Sequence, residues 1–176
     1  MLSEKISDYT VIDIETTGLS PKKNKIIELA GIKIKNDCEI ARFSEFVRPD
    51  DFHENGYLNY FIKKLTNIDD VNLKNARCEN DVLKDYLDFI GDDVILGQNI
   101  RFDIGFISKA AEEKFGIKFE NFSVDTMKLG RKFLELEKYS LESLANFYSI
   151  DYSHAHRALN DCEITNEVYR NLRKFL

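Results

Sequence analysis

The chain has 176 residues, 43% of them hydrophobic and 32% charged, with 25 Lys and Arg against 31 Asp and Glu. This length and apolar content exclude a disordered chain and fit a single domain, residues 1–176, with a buried core. A net charge of −6 argues against a passive module that holds nucleic acid by phosphate neutralisation, but not against an enzyme whose acids hold cations facing the phosphates. No stretch approaches the ~18 consecutive apolar residues of a membrane span. The start, Met1-Leu2-Ser3-Glu4-Lys5, has no basic region leading into an apolar run, so no signal peptide is expected. Cys38, Cys78 and Cys162 are far apart and odd in number, as expected of reduced thiols in a cytoplasmic protein.

In chain order, alternation predicts a strand over Tyr9–Ile14, a second over Ile26–Lys35, and a third from about Glu39 to Val47. Asn36-Asp37 between the last two predicts a tight hairpin turn. A short helix is expected around Leu58–Leu65, then an amphipathic one in which Val82, Leu83, Tyr86, Leu87 and Ile90 recur at helical spacing and Gly91 ends the run. Asp93–Gly97 reads as a short buried strand, Phe102–Lys114 as a helix, Phe122–Val124 as a strand and Thr126–Leu134 as a helix. Ser140 is placed to cap a further short helix, and a long helix from Ala158 to Phe175 closes the chain. A strand meander followed by alternating helices and strands predicts an α/β fold with a mixed sheet.

Four acids stand at core-facing or strand-end positions. Asp13 and Glu15 are i and i+2 on the first strand, so both project from one face beside Val and Ile. The spacing alone carries nothing, because 31 acids in 176 residues give about five such pairs by chance. Two like charges at the edge of a core are costly unless a cation offsets them or the strand end is solvated. Asp103 opens a helix whose apolar stripe continues through Phe106, Ile107 and Ala110; its ordinary alternative is an N-cap. Asp161 shares a face with Ala158, Thr165, Val168 and Leu172, in a stripe that ought to pack on the sheet. His156, five residues earlier, is not on that face and belongs at the helix start or in the preceding loop. His53 and His154 are read as structural or merely solvated.

Four carboxylates suit a hard cation such as Mg²⁺ or Mn²⁺. Imidazole titrates near neutrality and serves as a general base. Two such ions ~3.5–4 Å apart stabilise the attacking and leaving oxygens of a displacement at phosphorus. The chemistry favoured is phosphodiester hydrolysis.

At these residues the sequence resembles the DnaQ-like (DEDDh) 3′→5′ exonucleases of the ribonuclease H-like fold. The likeness is carried by Asp13-Ile14-Glu15-Thr16-Thr17-Gly18-Leu19, by Gly97-Gln98-Asn99-Ile100-Arg101-Phe102-Asp103 and by His156-Arg157-Ala158-Leu159-Asn160-Asp161. Weaker echoes are Ile26-Ile27-Glu28-Leu29, Val124-Asp125-Thr126 and Ser140-Leu141-Glu142-Ser143-Leu144, so the resemblance runs from about Tyr9 to the end. It implies a mixed five-stranded sheet, three antiparallel strands plus two parallel ones, flanked by helices. It also implies two divalent cations, with Asp13 bridging both, Glu15 and Asp161 completing the coordination, and Asp103 supporting the second directly or through water. His156 would deprotonate the nucleophilic water. Glu15 and the backbone around Thr16, Thr17 and Gly18 would meet the terminal 3′-hydroxyl, Leu19 and Phe102 would pack on terminal bases, and Asn99 would contact the strand. Many relatives have His where this chain has Gln98, an altered contact at a position that still donates and accepts hydrogen bonds. Glu28 and Asp125 are expected to be structural.

The motifs look most like the polymerase III epsilon subunit and PolC-type exonuclease domains. The expected substrate is therefore a free 3′ end, DNA favoured over RNA, in replication proofreading or repair. An RNA-trimming enzyme shares the chemistry, and Arg101, Lys128, Arg131 and Lys132 do not distinguish the sugars. A weakly active, polymerase-associated interaction module is the alternative from another class; the presence of all four acids and His156 argues against it.

Overall fold

A computed structural model describes residues 5–176. Three antiparallel strands open the chain: β1 (Tyr9–Thr16), β2 (Ile26–Lys35) and β3 (Cys38–Arg48). Asn36 and Asp37 join β2 to β3 with φ of 50° and 63°, the positive pair that a two-residue hairpin with the right-handed strand twist requires. Then follow α1 (Tyr60–Thr66), α2 (Asp70–Asn75), β4 (Arg77–Cys78), α3 (Glu79–Ile90), β5 (Ile95–Gly97) and α4 (Arg101–Phe115). The last part holds β6 (Ser123–Asp125), α5 (Thr126–Phe133), α6 (Leu141–Phe147), α7 (Ala158–Leu172) and a 3₁₀ turn over Arg173–Phe175.

The six strands lie in the order β4-β3-β2-β1-β5-β6. β5 joins β1 in parallel, and β6 joins β5 the same way. The expected mixed sheet is therefore present with one more strand than five. The addition, β4, pairs Arg77 and Cys78 with Val47 and Arg48 at the end of β3; two residues are too few to leave a periodic signature. The α2 helix was equally hidden. Its six residues start from a local capping box, in which the Asp69 side chain accepts from Asn72 and Asn72 returns the bond. The final helix ends at Leu172 rather than continuing to Phe175, because the chain tightens into the 3₁₀ turn.

Helices cover both faces of the sheet. On one, Tyr9, Val11, Ala30, Ile32 and Ile34 pack against Ala158, Cys162, Val168, Tyr169 and Leu172 of α7, with α5 and α6 alongside. On the other, Ile12, Ile14 and Leu29 meet Val82, Leu83, Tyr86 and Ile90 of α3 and Phe106, Ile107 and Ala110 of α4. The Tyr86 hydroxyl is satisfied inside this layer by donating to the Ala30 carbonyl at 2.7 Å. No helix among the described residues is long and apolar enough to cross a membrane.

Candidate active site

The alternation that buries Tyr9 and Val11 beneath α7 carries Asp13 and Glu15 onto the same side, at the carboxyl end of β1. Both are half-buried. The β2 register sets Asp13 opposite Ala30 and Glu15 opposite Glu28, with a bulge immediately after, between Glu15 and Thr16. From above, α7 supplies Asp161 in its first turn, where its backbone N–H closes on the Arg157 carbonyl. One carboxylate oxygen each from Asp13, Glu15 and Asp161 lie within 4.8 Å of one another.

Asp103 comes from the first turn of α4 and is 3% exposed. It is not the helix cap: that position is Ile100, and no side chain caps there. It stands beside the trio rather than within it, bound to its own backbone and that of Ile14. Its charge is nevertheless the largest repulsion on Asp13. The four acids thus form one electrostatic unit.

Without a counter-charge this unit resists ionisation. Burial, then repulsion by Asp103, Asp161, Glu15 and Glu28, raises the Asp13 carboxyl well above its ordinary value. Burial followed by repulsion from Asp161 and Glu28 pushes Glu15 up to about 8, against relief from Arg157. Burial raises Asp161, opposed by the His156 backbone bond and the His156 charge, and it raises Asp103 as well. Hard oxygen donors crowded into a half-buried cleft and repelling one another are the set that a divalent cation satisfies. The residues fit the metal ions expected of them.

His156 is exposed and sits in the loop before α7 with φ of +68°, an uncommon left-handed conformation for a side chain of this size. Its N–H reaches Asp161 Oδ1 at 3.3 Å, and its ring lies edge-on to Tyr152 at 6.0 Å. His156 is therefore tied to a metal-ligand candidate through its backbone.

The segment after β1 is held by its own bonds. Thr16 Oγ1 donates to the Gly18 carbonyl at 2.7 Å, the Thr17 N–H donates to the Lys25 carbonyl, and the Lys25 N–H returns to Thr17 Oγ1. A Cβ at Gly18 would stand 2.7 Å from the Asn24 amide nitrogen and force that side chain to shift. Leu19 projects beyond this turn, 87% exposed. Asn99 is exposed with φ of 53°, its N–H held by Asp125. Phe102 is half-buried against Phe106, ring centroids 5.0 Å apart. Arg101, Lys128, Arg131 and Lys132 are all exposed.

The residues expected to be structural have defined work. Asp125 caps α5 through the Met127 N–H while holding Asn99. Gln98 is an internal brace: its Nε2 donates to the Tyr139 carbonyl at 2.8 Å and its Oε1 accepts from Thr126 Oγ1 at 2.6 Å. Glu28 is buried and binds Arg157 and the Ala158 N–H, next to His156. Its position was visible in the sequence as an acid inside the apolar run Ile26-Ile27-Glu28-Leu29-Ala30.

A family model described as "Exonuclease" (RNase T) matches residues 10–169. The chain is 37% identical over 163 residues to a "DNA polymerase III PolC-type" of Caldanaerobacter subterraneus, covering 92% of this chain and 11% of that protein. It is 36% identical over 162 residues to the "DNA polymerase III subunit epsilon" of Aquifex aeolicus, covering 92% of this chain and 78% of that one. The structure described as "Exonuclease X in complex with 5′ overhanging duplex DNA" superposes with a TM-score of 0.74 at 22% identity, covering 95% of this chain and 92% of the other. At that identity the likeness shows a shared fold, of the ribonuclease H-like kind.

Proposed function

The chain belongs to this exonuclease family, of the DnaQ-like group that includes polymerase III epsilon and PolC-type domains, and on that premise we propose that it is a metal-dependent 3′→5′ exonuclease. Its substrate is the free 3′ end of DNA, single-stranded for preference, which it shortens to nucleoside 5′-monophosphates in cytoplasmic proofreading or repair. Residues 1–176 act as one exonuclease domain, and the polymerase relatives support a DNA polymerase as its working partner.

The observation that carries this reading is the trio of carboxylate oxygens within 4.8 Å, from Asp13, Glu15 and Asp161, beside buried Asp103 and exposed His156. Asp13, Glu15 and Asp161 would hold the divalent cations, Mg²⁺ or Mn²⁺, with Asp103 in support. When bound, such cations would supply charge neutralisation at the phosphate and at the attacking and leaving oxygens. His156 takes the proton from the attacking water, a role open to it because its ring is at the surface while its backbone is tied to Asp161. Glu15 with the braced Thr16–Gly18 segment meets the 3′-hydroxyl; Leu19 and Phe102 offer apolar surface to terminal bases, and Asn99 contacts the strand. The exposed Leu19 side chain is consistent with a residue that gains its packing from the ligand.

The test is a time course on a 5′-labelled single-stranded DNA oligonucleotide with Mg²⁺ or Mn²⁺, beside Asp13→Ala and an RNA of equal length. The expected result is a ladder shortening one nucleotide at a time from the 3′ end, absent in the variant and faster on DNA. Faster shortening of RNA reassigns the substrate. No ladder on either polymer, or an undiminished one in Asp13→Ala, overturns the proposal.

A further inference from the structure

Building on the base role given to His156, we propose that Glu28 is a positioning residue for the reaction, fixing the backbone turn that presents the imidazole. Glu28 is 1% exposed within the apolar run of β2. A buried carboxylate is costly unless paired and hydrogen-bonded, and this one is both. Oε1 accepts from Arg157 Nη2 at 2.8 Å and from Nε at 3.2 Å. Oε2 accepts from Arg157 Nε at 3.3 Å and from the Ala158 N–H at 3.2 Å. The guanidinium also lies over the Phe46 ring, 4.9 Å from its centroid, which further limits its movement.

These contacts do what the helix terminus lacks. The cap position of α7 is Arg157, whose own side chain makes no capping bond. A carboxylate from a different element takes that role through the Ala158 N–H. Three consecutive residues are consequently held: His156 by its N–H on Asp161 Oδ1, then Arg157 and Ala158 by Glu28. His156 needs this restraint because its φ of +68° persists only where the surroundings over-determine it. Every group hydrogen-bonded to Glu28 is a donor. A glutamine amide must therefore turn its NH₂ toward either Arg157 or Ala158, losing that contact with little change of volume.

A carboxylate that merely stabilised the fold would slow the enzyme whether or not His156 were present. One that acts through His156 loses its effect when the imidazole is gone, which a double-mutant cycle resolves. The experiment measures kcat and KM on one labelled oligonucleotide for wild type, Glu28→Gln, His156→Ala and the double variant. Hydrogen exchange on the metal-free proteins follows peptides spanning 153–160. Glu28→Gln is expected to lower kcat by about ten- to a hundredfold, within the roughly 10²–10⁴-fold that a positioned base supplies, with KM within about twofold. In the His156→Ala background the same change costs less than about twofold, and exchange in the wild-type background accelerates at 153–160 alone.

Glu28→Asp, which keeps the charge and shortens the reach, is the second variant; it gives a smaller loss with the same dependence on His156. Losses that multiply in the double variants, a change confined to KM, or unaltered exchange at 153–160 overturn the inference. Inactive wild type, or His156→Ala turning over at the wild-type rate, refutes the base role itself and this inference with it. Activity that falls in His156→Ala and falls as far again on adding Glu28→Gln refutes this inference alone.

Discussion

Glu15→Gln should stabilise the metal-free protein, and increasingly so as pH rises. In the fold the Glu15 carboxyl is pushed from 4.5 up to about 8 by burial and by the Asp161 and Glu28 charges. A carboxyl held above its unfolded value favours the folded state while protonated, and that contribution is lost as pH climbs from about 4.5 through 8. At about 1.4 kcal/mol per pH unit the full gap is worth about 5 kcal/mol, of which about 3 kcal/mol is already lost at pH 7. Solvent at this half-buried position trims that toward ~2 kcal/mol. Glutamine keeps the shape and removes the charge, so the variant escapes the penalty. For a chain of this size, ~2–3 kcal/mol corresponds to a melting temperature about 4–10 °C above wild type near pH 7. The assay is thermal denaturation followed by circular dichroism in EDTA at several pH values from about 5 to 8. The gap between variant and wild type should be small near pH 5 and widen upward. Adding Mg²⁺ or Mn²⁺ should then raise the wild-type melting point more than the variant's, because a cation bound to the folded state stabilises by mass action. A gap independent of pH, or a variant less stable than wild type near pH 8 in EDTA, would refute the electrostatic account of the cluster.

Other substitutions probe separate parts of the site. Asp13→Ala and Asp161→Ala should abolish turnover while leaving the circular dichroism spectrum intact, since each removes a repelling charge; turnover close to wild type in either sinks the metal assignment. His156→Ala should cut kcat by about 10²-fold with a much smaller change in KM, measured at saturating oligonucleotide. Gln98→Ala removes the brace between Thr126 and Tyr139 and should cost about 1–2 kcal/mol in urea denaturation with activity retained within severalfold. A larger loss of rate than of stability there would place Gln98 in the chemistry. Asp125→Ala strips the α5 cap and frees the Asn99 N–H, an expected loss of about 1–2 kcal/mol by the same measurement.

Periodicity alone determined most of the elements of this protein, because an alternating or 3.6-residue apolar pattern is a local property that needs no partner to be read. It put Asp13 and Glu15 on one face of β1 and Asp161 on the buried stripe of α7, and the fold then brought these acids together. What periodicity could not hold is what depends on distant segments. The two-residue β4 exists only because β3 offers it an edge, and the six-residue α2 is anchored by Leu73 in a cluster with Ile27 of β2. For Asp103 the chain left two readings, an acid on the buried face or a helix cap; the structure makes Ile100 the cap and buries the acid close enough to repel Asp13. The two residues that follow the left-handed His156 are held by Glu28, a partner from a distant strand. Residue types along the chain supply the chemistry, but mutual repulsion, raised carboxyl pKa values and a strained backbone arise only when separate elements meet.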